Sequence, residues 1–270
     1  MLIRRWLQTL WKRAGQMACA HRVAHRLCLV PLLILAPLAQ ALEFRYSNPF
    51  PDGPLAGVAR AITFSGQILA GDTDKLIELI RRKPADAWFG LGRVELEISG
   101  GDPAEALRLA DTLAELYPHM VASSDCAGAC AIAWLSGAWR MLPEGRIGLQ
   151  KPLAPPPASD VLADKLRNYL FKQGLPQPSY ERWLAMRNNG VYWLSVPEIN
   201  STGTWPPYYF EKLAARCPPL DASDESFHAL RRCAARLVIS QKAFAFDKLL
   251  AGVNDPWWNE NKDVFLSAPR

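Results

Sequence analysis

Three times between residues 61 and 135, an apolar run of strand length is followed by small or polar turn residues and then by apolar positions at helical spacing. Ala61 to Leu69 has strand composition. Gly71-Asp72 then opens a helix whose Leu76, Ile77 and Ile80 share one face and which Pro84 stops. Val94 to Ile98 alternates apolar and acidic residues as a strand, and Ser99-Gly100-Gly101 turns the chain into a second helix. Asp102 is placed to cap that helix, Pro103 suits its first turn, and Glu105 completes a box-like arrangement; Ala106, Leu109, Ala110 and Leu113 form its buried face. Met120 to Ser123, Asp125 to Gly128 and Ala129 to Leu135 repeat the pattern as strand, turn and helix. Repeated strand, turn and helix units predict an α/β domain with a mainly parallel, buried sheet.

Arg140 to Leu142 and Arg146 to Leu149 read as two short strands around the Pro143-Glu144-Gly145 turn. Beyond Pro152 the pattern is helical, with segments at 160–173, 178–187, 207–216 and 224–251. In the last of these, Phe227, Leu230, Ala234, Leu237, Val238 and Gln241 recur at helical spacing and are read as core packing. Residues 42–60, rich in Pro, Gly and Asn, read as an extended lead-in, with the ordered core beginning near Ala61.

Composition changes the picture mainly through its distribution. Half of the 270 residues are apolar, enough for a substantial core, and the formal charge is +5. Residues 1–41 hold Arg4, Arg5, Lys12, Arg13, Arg22 and Arg26 and no acid, which leaves 25 basic and 26 acidic residues beyond them, a net charge of −1. The basic stretch leads into the apolar run Leu27 to Leu38 and then Ala39-Gln40-Ala41, a small-x-small pattern. Residues 1–41 are therefore expected to be a secretory signal peptide cleaved after Ala41, placing the protein in the periplasm or outside the cell. Met17 offers an alternative start. An uncleaved anchor is disfavoured because the apolar run falls short of the roughly 20 residues that span hydrocarbon, and Pro31 and Pro37 interrupt it. A twin-arginine reading of Arg4-Arg5 fits poorly because the pair lies far from the apolar run. No stable membrane span is expected after cleavage, and the mature charge supports neither nucleic-acid binding nor a coenzyme A thioester.

Export permits disulfides, and loss of Cys19 and Cys28 leaves Cys126, Cys130, Cys217 and Cys233. Cys217 with Cys233 is the favoured pair, stapling a helical hairpin. Cys126 and Cys130 either pair locally or remain buried thiols, and the spacing does not match structural zinc. No metal and no cofactor is expected.

The segments ITFSGQILAGD, LEISGGDPAEALRLADTL, VASSDCAGACAIAWLSGAWR and RIGLQKP, in that order, resemble the Clp protease proteolytic subunit and its exported relatives in the ClpP/crotonase-like superfamily. The resemblance spans roughly residues 61–205, with 206–270 as a helical C-terminal extension. It implies a spiral of β-β-α units, assembly as trimers, hexamers or larger rings, and peptide hydrolysis by a Ser, His, Asp triad with a backbone oxyanion hole. Exported relatives carry Cys-Ala-Ser-Ala-Cys at the third turn, whereas this chain has Cys126-Ala127-Gly128-Ala129-Cys130. By the same resemblance Gln150 stands at the histidine position and Val191 at the acid position, with no acid between Glu181 and Glu198. Triad hydrolysis needs a hydroxyl, an imidazole and an orienting carboxylate, and these three side chains supply none of them.

The resemblance further implies a hole of backbone amides at Gly100, Gly101, Gly128 and Ala129; the plainer reading is that these glycines permit tight strand-to-helix turns and close packing. Only His119 and His228 lie beyond the leader, both expected to be structural or on the surface. Ser123, Ser124, Asp125 and Cys126 are weak substitute nucleophiles, and Ser99 is read as a turn residue. The Trp257-Trp258 pair is read as buried core or interface in preference to a sugar platform. The chain is thus expected to be an exported Clp-protease-like pseudoenzyme that works by binding or assembly, as a homo-oligomer or with a protein or peptide partner. A hydrolase or lyase using a retained hole and a purely structural oligomer component are the alternatives.

Overall fold

The computed structural model describes residues 40–48, 60–151, 158–186, 190–202, 207–221 and 223–267. The expected signal sequence, apart from Gln40 and Ala41, and most of the Pro/Gly-rich lead-in lie outside the described residues. Among the described residues, eight strands and ten helices follow in chain order: β1 Glu43–Ser47, β2 Ala61–Ile68, α1 Asp72–Arg82, α2 Pro84–Gly90, β3 Val94–Gly101, α3 Pro103–Leu116, β4 His119–Ala122, β5 Cys126–Ala127, α4 Ala129–Leu135, β6 Trp139–Met141, β7 Ile147–Gln150, α5 Ala158–Lys172, α6 Gln177–Ala185, β8 Val191–Trp193, α7 Val196–Thr202, α8 Pro207–Arg216, α9 Asp224–Leu249 and α10 Pro256–Leu266.

Strands β1-β2-β3-β4-β6 form one sheet, parallel except for the antiparallel edge strand β1, and β5-β7-β8 form a smaller one. The architecture is mixed α/β with a mostly parallel main sheet and C-terminal helices. One reading of the sequence needs correction. The sheet begins at Glu43 rather than near Ala61, because Phe44 and Tyr46 alternate with polar residues and pack against the core. The two short strands read around Pro143-Glu144-Gly145 are present, and they join different sheets, β6 beside β4 and β7 beside β5.

Burial of the main sheet is one-sided along β2 and β3. Ile62, Phe64, Val94, Leu96 and Ile98 are buried, while Thr63, Ser65, Glu95 and Glu97, on the opposite pleat, remain partly or fully accessible. The amphipathic helices α1 and α3 bury Leu76, Ile80, Ala106, Leu109, Ala110 and Leu113 completely. The Asp102 side chain caps α3, accepting from Ala104 N at 2.7 Å and Glu105 N at 3.3 Å. Glu105 does not close the expected box: its buried carboxylate instead accepts from Thr73 N at 2.8 Å, tying the first turn of α1 to α3.

The C-terminal helices close on α2 through an aromatic cluster. Trp88 packs on Phe246, Trp258 and Phe265 with ring centroids 5.3, 5.7 and 4.5 Å apart, so Trp258 is core, in line with the preference for burial over a sugar platform. Of the apolar stripe read along α9, only Leu237 is buried, and Leu230, Ala234, Val238 and Gln241 are half-buried. Leu237, Ala243 and Phe246 are buried, but Phe227 is 47% exposed because the helix projects beyond the core at its N-terminal end. Within the cluster, Lys242 Nζ donates to Trp88 O at 2.6 Å and lies 4.7 Å from the Trp88 ring centre.

Burial pulls the Lys242 ammonium down to about 7 from the ordinary lysine value of 10.5. The unfolded chain therefore holds this proton more tightly between those values, so the Lys242 contribution to stability rises with pH from about 7 towards 10.5 and is at its lowest below about 7. Urea unfolding should show higher stability near pH 9 than near pH 6, rising by at most about 1.4 kcal/mol per pH unit, and Lys242→Met should flatten that rise. An unchanged profile in the variant would contradict the assignment.

Candidate functional site

The chain is led into the site by β5, and the strand-to-helix turn at Gly128 determines its shape. Gly128 adopts φ 58° and ψ −118°, a conformation that L-residues enter only under strain. Its amide donates to Gly148 O at 2.9 Å, its carbonyl accepts from Ile132 N at 3.1 Å, and Cys126 N donates to Arg146 O at 2.8 Å. The Cys126–Cys130 disulfide brackets the turn and ties the end of β5 to the first turn of α4. Both cysteines are buried, and of the two outcomes left open by the sequence the local pairing is the one formed. The second expected pair, Cys217–Cys233, is also formed. Cys126 is thereby removed as a nucleophile.

Strand register then gathers the three positions that the resemblance assigned to a triad. Gln150 is the Cα partner of Val191 in the antiparallel β7–β8 pair, and a Cβ built on Gly128 would stand 2.8 Å from Gln150 Oε1 and 3.3 Å from its Cβ. Gly128, Gln150 and Val191 are therefore neighbours, although they lie far apart in sequence. Nothing among them can serve as a nucleophile or cycle a proton near neutral pH.

Gly101, Pro103, Gly128, Ala129, Ile132, Gln150 and Lys151 line one small cavity of about 150 Å³. Of the four backbone positions expected to form a hole, Gly101, Gly128 and Ala129 reach this cavity and Gly100 is not part of its lining. The Gly128 amide is already committed to Gly148 O. Gly101 has φ 136° and lies so close to β2 that a Cβ there would fall 2.2 Å from Ile68 O, so the plainer structural reading of this glycine applies as well. Lys151, which sequence reasoning overlooked, donates from Nζ to Leu184 O and, at 2.8 Å, to Met186 O, so its ammonium caps the end of α6. A larger groove, about 1140 Å³, runs along α3 opposite Val161, Leu162 and Lys165 of α5 and shares Pro103 with the small cavity.

The remaining expected candidates are accounted for structurally. Ser99 lies within β3 and not in a turn, because the strand runs on to Gly101 beside β2, and its Oγ donates to Gly66 O at 3.3 Å; Asp125 pairs with Arg146 at 2.6 Å, which holds its carboxyl below the usual carboxylate range. His119 stacks on Trp139 with ring centroids 5.2 Å apart, and His228 is exposed on α9; neither lines the cavity.

A second cluster was not foreseen. Buried Glu198 accepts from Tyr192 Oη at 2.6 Å, from Arg182 Nη2 at 2.7 Å, and from both the amide and the hydroxyl of Ser195 at 2.7 Å. Burial alone would push its carboxyl up, but hydrogen bonds from Ser179, Tyr192 and Ser195 outweigh this and hold it far below the usual range. Side chains alternate along β8, so Tyr192 and the network it joins lie on the opposite face from Val191 and Gln150. This ionised carboxylate fixes the exit of β8 and takes no part in the cavity.

No protein-family model and no curated protein matches the chain. Among solved structures it is similar to a ClpP1 mutant from Listeria monocytogenes, at 17% identity and a TM-score of 0.33, over 52% of this chain and 88% of that one.

Proposed function

We propose that this protein is an exported, Clp-protease-like pseudoenzyme that acts by binding a peptide or protein partner, or by assembling with copies of itself, and not by triad hydrolysis. The observation that carries the reading is the approach of Gln150 to the strained turn at Gly128, with Val191 opposite Gln150 on the next strand and no hydroxyl, imidazole or carboxylate among the three. Strain of this kind is retained where surrounding structure enforces it, and here a disulfide and two backbone hydrogen bonds do so. The groove that continues from Pro103 gives an extended chain room to lie beside the turn.

Export is part of the proposal and rests on the basic and apolar pattern of residues 1–41. Cleavage after Ala41 would remove the Ala41–Gln67 bridge and leave Leu42, 3% exposed, as the new first residue. N-terminal sequencing of protein recovered from the periplasm should begin at Leu42.

Incubation of the purified protein with a broad peptide library, followed by mass spectrometry, should return the library intact, with a subset of peptides retained on the protein. Clear turnover would refute the pseudoenzyme reading. Native mass measurement separates the modes of action: a ring or trimer supports assembly, and a monomer that retains peptides supports a binding module.

A further inference from the structure

The C-terminal extension carries a cluster of basic side chains that the reading above does not use. Helix α9 has no Asp or Glu from Ser226 to Phe246. Arg232 and Arg236, four residues apart, lie on the side of α9 that also carries Ala229, Cys233 and Leu237. Arg216, the last residue of α8, faces them, and the three arginines line one pocket of about 290 Å³ together with Pro218. No carboxylate lines this pocket, and among the described residues none of the three guanidiniums forms an ion pair.

Three like charges that share one pocket repel one another, and a covalent link holds the helices that carry them together. Cys217, next to Arg216, is bonded to Cys233, next to Arg232, so the disulfide sets the spacing of the two helices where the arginines emerge. The positive potential is felt nearby: burial, then the charge of Arg216, lowers the Lys212 ammonium on the same helix.

We propose that Arg216, Arg232 and Arg236 form a binding site for a phosphate monoester. A guanidinium presents a planar fork of N–H donors that matches phosphate oxygens, and a dianion with three terminal oxygens can engage three forks, whereas a carboxylate has two oxygens to offer. The apolar walls at Pro218, Ala229 and Leu237 accept the first carbons of the esterified group. The site shares no lining residue with the cavity at Gly128, so its occupation is independent of the pseudoenzyme reading. The monoester has two possible sources, a soluble metabolite or the headgroup of phosphatidic acid, and the chemistry at the arginines is the same for both.

The test is titration of the full chain, at constant ionic strength, with inorganic phosphate, with glycerol phosphate, and with phosphatidylcholine vesicles with and without phosphatidic acid. The wild type should bind saturably, and Arg232→Gln/Arg236→Gln should weaken binding at least about tenfold while leaving thermal stability unchanged, since both side chains are exposed. Arg167→Gln, which removes an exposed arginine on α5, should bind as the wild type does. Binding of phosphate or glycerol phosphate assigns a soluble ligand; binding only of vesicles containing phosphatidic acid assigns the headgroup. Cys217→Ser/Cys233→Ser should also weaken binding, through loss of spacing. Absence of saturable binding in every arm, or binding that the double arginine variant leaves unchanged, would overturn the proposal.

Discussion

Gly101→Ala is expected to cost at least about 3 kcal/mol of stability and to leave little folded protein. A Cβ at this position would lie 2.2 Å from Ile68 O, 2.5 Å from Ile68 N and 2.8 Å from Ile68 Cα, all backbone atoms of the neighbouring strand, and φ is 136°. The ladder cannot open locally, because Asp102 N donates to the same Ile68 O at 2.8 Å. Gly100 provides the internal control. Its φ is 143°, but no atom lies within 4 Å of a built Cβ, so Gly100→Ala should carry only the conformational strain of about 1–3 kcal/mol. Chemical denaturation of the two variants measures the difference. Equal losses would show that close approach of β2 to Gly101 is not what the glycine serves.

Gly128→Ser should lower stability by about 1–3 kcal/mol and confer no hydrolysis. The new side chain must adopt φ 58° and ψ −118°, and it must displace the Gln150 amide that lies over the glycine. The hydroxyl would then stand beside a glutamine, which can hydrogen-bond but cannot accept and return a proton near neutral pH. Denaturation midpoints and peptide turnover check the two halves of this expectation separately. A serine variant as stable as the wild type would mean that the turn relaxes freely and that the glycine relieves no strain.

The repeated strand, turn and helix units around Ala61, Val94 and Met120 were legible because each buries an apolar stripe with the period of its own element. The α3 cap at Asp102 was legible for the same local reason. Elements that depend on distant partners were not. Strand β8 has strand-favouring residues but only three of them, too few to stand out, and it exists because Val191 to Trp193 complete the ladder of β7. Helix α10 was missed because Trp257 and Trp258 read as an isolated pair until Trp88 and Phe246 are placed against them. The partner of Glu105 was misjudged because a box within α3 and a bond to Thr73 of α1 look alike in one sequence.

The site divides along the same line. Resemblance named Gly128, Gln150 and Val191 one at a time, but only the register of β7 with β8 and the approach of Gln150 to the turn make them neighbours. Lys151 and Glu198 were overlooked because their partners are backbone carbonyls and side chains on α6 and β8, which no local pattern announces.

Fluorophosphonate labelling, read by intact mass and peptide mapping, tests the central claim most directly. It compares the wild type with Gly128→Ser/Gln150→His/Val191→Asp, which restores a nucleophile, a base and an acid at the positions that the strands bring together. The wild type should remain unlabelled, and the triple variant should take up one equivalent at position 128. Stoichiometric labelling of any serine in the wild type, or a folded triple variant that stays inert, would contradict the account.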